Sequence, residues 1–270
     1  GQKMTWTLGV IGCGNMSYAL LSGIVRSPEQ APEKIYCNDI SDVRMRLFAD
    51  EFNALPADKG DLIAASDLII LGVKPQQISE ALKETATCWQ ENKLLLSIAA
   101  GIRTGWLEAL LFPATMRVVR AMPNTPCLAG AGMIGLCAGK SATVEDLERI
   151  KTLLAASGRA VIVKEQDMDA VAAVSGSGPA YVYLMIEALM EAAVSVGLSS
   201  STARELVLQT VKGSVILLEE SGQHPAVLKQ QVTSPGGTTI AGLRRLEEGG
   251  IRRAFFDAVE AARNRSIELG

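Results

Sequence analysis

The sequence predicts an α/β fold followed by an all-α region, and three observations support this. Up to about Lys164, short apolar runs alternate with amphipathic segments, the pattern of parallel strands joined by helical crossovers. Beyond Glu165 the alternation stops, and long apolar-periodic segments follow, broken by SGSGP, GLSSS, SGQHP and TSPGG. Hydrophobic residues make up 48% of the chain and aromatics only 4%, which suits helices and buried parallel strands better than an aromatic-rich sandwich. At 270 residues the chain exceeds the usual size of one domain, so we expect two, residues 1–164 and 165–270.

In the first domain we expect strands at TLGVIG (7–12), KIYCND (34–39), DLIILGV (67–73), KLLLSIA (93–99) and MRVVRAM (116–122). Two further runs, AGMIGLCA from Ala131 and RAVIVK from Arg159, extend the sheet at its edge. They flank a helix opening near Thr143, whose spacing to Asp146 is that of a capping box. In the second domain, helices over 179–197 and 201–220 carry apolar residues on more than one face and need burial on several sides. A domain of this size cannot supply that alone, so an intertwined homodimer is expected. Residues 181–198 are apolar over a length that approaches a bilayer span, but Glu187 and Glu191, one helical turn apart, argue for a helix buried in protein, within the chain or between subunits, rather than in a membrane.

Composition narrows the function further. Twenty-nine acidic residues against 26 basic ones, with no lysine or arginine block, argue against nucleic acid as a partner. The five cysteines are odd in number, scattered and without a CxxC pair, so neither a disulfide framework nor a zinc site is indicated and a cytoplasmic location is expected. Gly1, Gln2 and Lys3 read as residues added ahead of Met4, with no basic and apolar leader before it. The single histidine, His224 beside Pro225, reads as a solvated turn residue. It leaves no Ser/His/Asp triad and no metal-ligand set.

The loop IGCGNM at 11–16 follows a strand and opens a helix. Gly12 permits the tight turn, Gly14 lets the backbone approach a pyrophosphate, and the amides of the helix from Asn15 offer it positive potential. Ser17 stands where the strict pattern has a third glycine. We read a Rossmann-type dinucleotide domain with Ile11, Gly12, Cys13, Gly14, Asn15 and Met16 at the cofactor. At the end of the second strand Asn38 precedes Asp39, with Ser41 and Arg44 beyond. Ser41 and Arg44 lie where they would reach a 2′-phosphate, which favours NADPH, while Asp39 keeps NADH open as a ribose ligand or else caps the helix beginning near Asp42. Val73, Lys74 and Pro75 end a strand on the side that faces the ligand crevice, although a surface lysine before a helix is the commoner arrangement. The small residues of SIAAG (97–101) and the braced loop MPNTP (122–126) form walls on that edge. In the helical region, SGSGPA (175–180) puts Ser177 and Pro179 at what reads as a helix start with exposed amides. VTSPGGTT (232–239) repeats the arrangement, with the hydroxyls of Thr233, Ser234, Thr238 and Thr239 around Gly236 and Gly237, a place for a carboxylate unless both are ordinary interhelical turns.

The ordered set IGCGNM, GVKP, SIAAG, RAMPNTP, SGSGPAYV and VTSPGGTTI is similar to the pyrroline-5-carboxylate reductase family over nearly the whole chain, and its last two strings are the most specific. The resemblance implies NADPH-dependent reduction of the cyclic imine 1-pyrroline-5-carboxylate to L-proline, the last step of proline biosynthesis. It also implies a dimer, alone or as the unit of a higher oligomer, whose helical domains intertwine and complete each other's active sites. By the same resemblance Ser234, Gly236 and Gly237 grip the substrate carboxylate and Thr239, preceded by Thr238, places its hydroxyl near the ring nitrogen. Lys74, Ala99, Met122, Pro123 and Asn124 then line the cofactor and ring pocket, and Lys59 stands where relatives have a cofactor-touching asparagine. Hydride adds readily to a C=N carbon once the nitrogen is protonated, so orientation and one hydroxyl donor suffice and no catalytic histidine is needed. Two rival readings are another small Rossmann reductase, for open-chain imines or 3-hydroxyacids, and a non-catalytic NADP-sensing protein. The first generally places a lysine on the interdomain helix, and residues 179–197 contain none; the intact TSPGGTT argues against the second.

Overall fold

The computed structural model describes residues 5–270; Gly1–Met4, of which the first three read as added residues in the sequence, lie outside the described residues. The chain forms two compact units, one running through Ser177 and including Ala262–Gly270, the other Gly178–Ala261.

The first unit is built on one eight-stranded sheet in the order β3-β2-β1-β4-β5-β6-β7-β8. Its strands are β1 (Thr7–Ile11), β2 (Lys34–Asn38), β3 (Leu55–Pro56), β4 (Leu68–Leu71), β5 (Leu94–Ser97), β6 (Arg117–Met122), β7 (Gly132–Ala138) and β8 (Gly158–Ile162). Helices α1 (Asn15–Val25), α2 (Asp42–Phe52), α3 (Lys59–Ala65), α4 (Pro75–Glu84), α5 (Thr104–Leu110) and α6 (Val144–Leu153) connect them. The sheet is parallel from β3 to β6. Strand β7 runs antiparallel to β6 because only a short 3-10 segment, Thr125–Ala129, joins them, too little chain for a crossover. Through α6 the chain returns to a parallel pairing of β8 with β7.

The uninterrupted apolar runs of β4 and β5 are those of strands covered on both faces. Leu68, Ile70, Leu94 and Leu96 join one core with Val10, Leu20 and Phe48. Ile69, Leu71 and Leu95 point the other way, into a core with Ile63, Leu82 and Leu107. Thr143 and Asp146 form the reciprocal capping box expected from their spacing. Strand β3 has no counterpart in the sequence pattern: it is two exposed residues long, and Pro56, which lacks an N–H, fits only a sheet edge.

The order of the strands places a switch point at β1, flanked by β2 on one side and β4 on the other. Backbone bonds align the strand ends there: Gly12 N–H donates to Asn38 O at 2.9 Å, Gly72 N–H to Ile11 O at 2.8 Å and Ile98 N–H to Leu71 O at 3.0 Å. Ser17, on the first turn of α1, is buried, and its Oγ has no hydrogen-bond partner among the described residues. A Cβ added to Gly72 would stand 2.6 Å from that oxygen, so helix and strand meet with almost no side chain between them.

After the short helix α7 (Met168–Val171), the second unit is formed from α8 (Gly178–Ser195), α9 (Ser200–Ser221), α10 (Pro225–Gln231), α11 (Thr238–Glu248) and most of α12 (Ile251–Leu269). Within the single chain none of the residues of α8 is buried, so its own chain does not provide the protein cover expected from its sequence. Only Ala203 and Val207 of α9 are buried in this unit. His224 does more than occupy a turn: its Nδ1 accepts from Ala226 N–H at 3.1 Å and caps α10. No helix among the described residues is long and apolar enough to cross a membrane.

The orphaned Ser17 hydroxyl makes a direct prediction. Removing a buried polar group without a partner relieves about 1 kcal/mol or more, so Ser17→Ala should raise the thermal midpoint of the ligand-free protein by about 2–4 °C. Ser17→Leu should lower it sharply; a fall with Ser17→Ala would contradict this packing.

Candidate active site

The carboxyl ends of β1, β2 and β4 border a cleft of about 390 Å³ whose lining includes Gly12, Gly14, Asn38, Lys59, Val73 and Lys74. Gly12 has φ +99°, and a Cβ there would stand 2.5 Å from the carbonyl carbon of Gly72. Only glycine satisfies both conditions. Gly14 differs, because nothing lies within 4 Å of its Cβ position and its side of the loop is open. It is the N-cap of α1, whose first turn has no side-chain cap and no acidic residue. The unpaired amides of that turn therefore keep their positive potential, as a pyrophosphate site requires. Lys74 is the N-cap residue of α4, with Pro75 at the first helical position. Lys59 pairs with Glu84 at 3.6 Å across an exposed surface, a contact that constrains it little.

At the end of β2 the side chains turn toward the protein itself. Asn38 Nδ2 donates to Ala57 O at 2.8 Å. Asp39 Oδ2 accepts from Cys13 N–H at 2.7 Å and Oδ1 from Ser41 N–H at 2.8 Å. Helix α2 is capped by Ser41, whose Oγ accepts from Arg44 N–H, so the alternative of Asp39 as N-cap is corrected: its carboxylate is drawn to the glycine loop instead. Arg44 Nε donates to Cys13 O at 2.6 Å and Nη2 to Asn15 Oδ1 at 3.3 Å. The Cys37 thiol beside it and burial push the Cys13 thiol well above the ordinary thiol range, so it stays protonated, with Sγ donating to Asn38 O at 3.7 Å.

The wall loops lie in the same unit. Ala99 is buried just beyond β5. Asn124 uses both ends of its amide: Nδ2 donates to Ser175 O at 3.0 Å, and Oδ1 accepts from Met133 N–H at 2.9 Å. The SGSG segment is not the open helix start expected. Ala172–Gly176 form a π-helical turn, Ser177 N–H donates to Ala172 O at 2.8 Å, and α8 begins at Gly178 with Pro179 second. The side chain of Met122 occupies the space that a Cβ on Gly176 would need, so the glycine permits this wide turn to pack against the strand end. π-turns recur at functional sites. Glu165, missed in the sequence, accepts from Thr104 N–H at 3.0 Å and ties α5 to the end of β8, while burial first and then Glu165 push the Cys137 thiol up to about 12.

In the second unit, the turn between α10 and α11 has Gly236 at φ +67°. Gly237 N–H donates to Ser234 O at 3.2 Å, and Ser234 Oγ lies 2.6 Å from the Cβ position of Gly237. Thr233 gives its hydroxyl to Lys229 O at 2.6 Å. Among the described residues, the hydroxyls of Ser234, Thr238 and Thr239 make no hydrogen bond within the chain. Helix α11 opens at Thr238 with neither a side-chain cap nor an acidic residue in its first turn. Free amides and free hydroxyls thus converge on one exposed turn, a donor set suited to a carboxylate.

Residues 165–269 match the family model for pyrroline-5-carboxylate reductase dimerisation. A pyrroline-5-carboxylate reductase of Methanosarcina acetivorans is 41% identical over 264 residues, 97% of each chain. The chain belongs to the pyrroline-5-carboxylate reductase family. Residues 7–101 match a second model, described as NADP oxidoreductase, coenzyme F420-dependent. A family member of Synechocystis is 41% identical over 99% of both chains. Among solved structures, the reductase of Coxiella burnetii superposes with a TM-score of 0.91 at 36% identity, covering 99% of each chain. A pyrroline carboxylate reductase of Plasmodium falciparum, solved with NADP bound, has a TM-score of 0.87 at 35% identity over the full length of both. The α/β fold with a helical C-terminal region, read from the sequence, is that of the reductase family.

The two loop glycines should fail differently. Gly12→Ala combines left-handed strain with a backbone collision and should lower the thermal midpoint as well as abolish dinucleotide binding. Gly14→Ala meets nothing in the fold, so it should leave the midpoint within about 1 °C, a surface-type change, while weakening dinucleotide binding. Thermal scans paired with fluorescence titrations distinguish them; equal destabilisation would contradict the open side of Gly14.

Proposed function

We propose that this family member reduces 1-pyrroline-5-carboxylate to L-proline by hydride transfer from NADPH or NADH. The observation that carries the reading is the turn from Ser234 to Thr239, where unpaired hydroxyls and uncapped helix amides are gathered with no carboxylate to compete. Ser234, Gly236, Gly237 and Thr238 hold the substrate carboxylate. Thr239 offers its hydroxyl to the ring nitrogen, favouring the protonated form that accepts hydride. Ser177, Met122 and Pro123 wall the ring. The loop Ile11–Met16 holds the pyrophosphate through its backbone amides. Val73, Lys74, Pro75, Ala99 and Asn124 border the nicotinamide half, Lys74 also serving catalysis by placing its ammonium beside the reacting groups, and Asn38 and Lys59 border the adenosine half. When bound, the nicotinamide supplies the hydride; the chain supplies orientation and exclusion of water.

The functional division falls near residue 165, with the helical part serving substrate binding and association. An intertwined homodimer is supported by the exposed apolar side chains of Val182, Leu184, Leu189, Leu206, Leu217 and Phe256 in a unit with only two buried residues. The five unpaired cysteines support a reducing compartment, the cytoplasm.

Thr239→Ala should lower turnover by about 10² or more, the usual cost of losing an acid–base group, with NADPH affinity little changed. Unchanged turnover would remove Thr239 from the mechanism. Sedimentation at micromolar concentration should show a dimer; a monomer would contradict the assembly.

A further inference from the structure

At the end of the second strand of a dinucleotide domain, a carboxylate is ordinarily read as the ligand of the adenosine ribose. Here the geometry points to another role: we infer that Asp39 and Arg44 are positioning residues that clamp the Cys13 peptide units of the phosphate loop from both sides. The inference rests on the reading of that loop as the dinucleotide site.

Asp39 has no carboxylate oxygen left uncommitted. Oδ2 takes Cys13 N–H at 2.7 Å and Oδ1 takes Ser41 N–H at 2.8 Å, both in the short range of bonds to a charged acceptor. Arg44 completes the grip, with Nε on Cys13 O at 2.6 Å and Nη2 on Asn15 Oδ1 at 3.3 Å, its guanidinium also 6.0 Å above the Phe48 ring. Cys13 stands between two glycines, the residues least able to hold a backbone by themselves. Its N–H belongs to the peptide plane shared with Gly12, and its carbonyl to the plane shared with Gly14, so the two contacts fix both planes. In a trans peptide the carbonyl and the amide point in opposite directions. Holding Cys13 O on Arg44 therefore turns Gly14 N–H away from Arg44. The Cys13 side chain is itself fully buried, with Sγ 3.7 Å from Asn38 O, which anchors the loop at a third point. One acid and one base at the same residue add no net charge to the cleft. Their effect is to order the loop before the dinucleotide arrives, which lowers the ordering cost of binding.

A ribose ligand and a loop clamp make opposite predictions for cofactor choice. In direct fluorescence titrations with NADPH and NADH, Asp39→Asn and Arg44→Gln should each weaken both cofactors by the same factor, about tenfold or more for a lost bond to a charged group. The ratio of the two affinities should stay within about twofold of wild type, well below the tenfold of a lost charged contact. Arg44→Lys, which keeps the charge and one donor, should lose less. The double variant should lose less than the product of the single losses, because both contacts hold the same residue. In steady-state kinetics the loss should fall on the KM for cofactor, with kcat largely retained at saturation, a split that general destabilisation would not produce. If Asp39→Asn weakens NADH while tightening NADPH, Asp39 reads the ribose and the clamp is overturned; unchanged affinities for both would overturn it as well. Wild-type protein that binds neither nucleotide would overturn the dinucleotide reading itself, and the clamp with it.

Discussion

Where β1 ends, Gly12 turns the chain with its backbone pressed against that of Gly72 at the end of β4, and no side chain fits between them. That contact makes the rest of the nucleotide half possible. It lets β1 and β4 remain neighbours through their last residues while the chain leaves β1 for α1. Ser17 extends the same close approach by one helical turn, lying against Gly72 at the cost of a buried hydroxyl without a partner. A wider residue at any of the three positions would lift the start of α1 from the sheet and turn its amides away from the cleft. The function assigned to the loop, holding a phosphate-bearing hydride donor, follows from this steric constraint more than from any charged side chain.

The two units bury their apolar residues differently, and function follows the difference. The first buries side chains on both faces of its sheet, so it can hold a cleft at fixed strand ends. In the second, leucines, valines and two phenylalanines of α8, α9 and α12 remain in contact with water in the single chain. Each such side chain gains about 1.5–3 kcal/mol on full burial. A helical unit carrying that much uncovered apolar surface is built to meet another copy, in keeping with the match of residues 165–269 to a dimerisation model.

Much of the fold was legible in the sequence because burial on both faces leaves unbroken apolar runs, as in LIIL and LLLS, and because Thr143 and Asp146 advertise a helix start by spacing alone. The turn at 234–239 was legible for a similar reason: glycines and hydroxyls ahead of an apolar-periodic segment mark where a helix starts, here α11 at Thr238. Less could be read where partners are distant in sequence. Asp39 as cap, ribose ligand or loop clamp uses the same carboxylate, and only the fold brings it to Cys13, 26 residues away. Asn124 bridging Ser175 and Met133, and Glu165 on Thr104, depend likewise on long-range contacts. The π-turn at 172–176 has no periodic signature, so a segment rich in glycine and serine looked like an open helix start.

The chemistry that emerges is spare. We propose that backbone amides at one helix start hold a pyrophosphate, amides and hydroxyls at another hold a carboxylate, and a threonine hydroxyl meets the imine nitrogen. The central claim is that hydride passes directly from the nicotinamide to the imine carbon. It is tested by supplying NADPH deuterated at the transferred position of C4, together with 1-pyrroline-5-carboxylate, and locating the label by NMR. The account predicts L-proline bearing one deuterium on the carbon that was double-bonded to nitrogen, with one NADPH consumed per proline. Proline without the label, or oxidation of NADPH without proline, would contradict it.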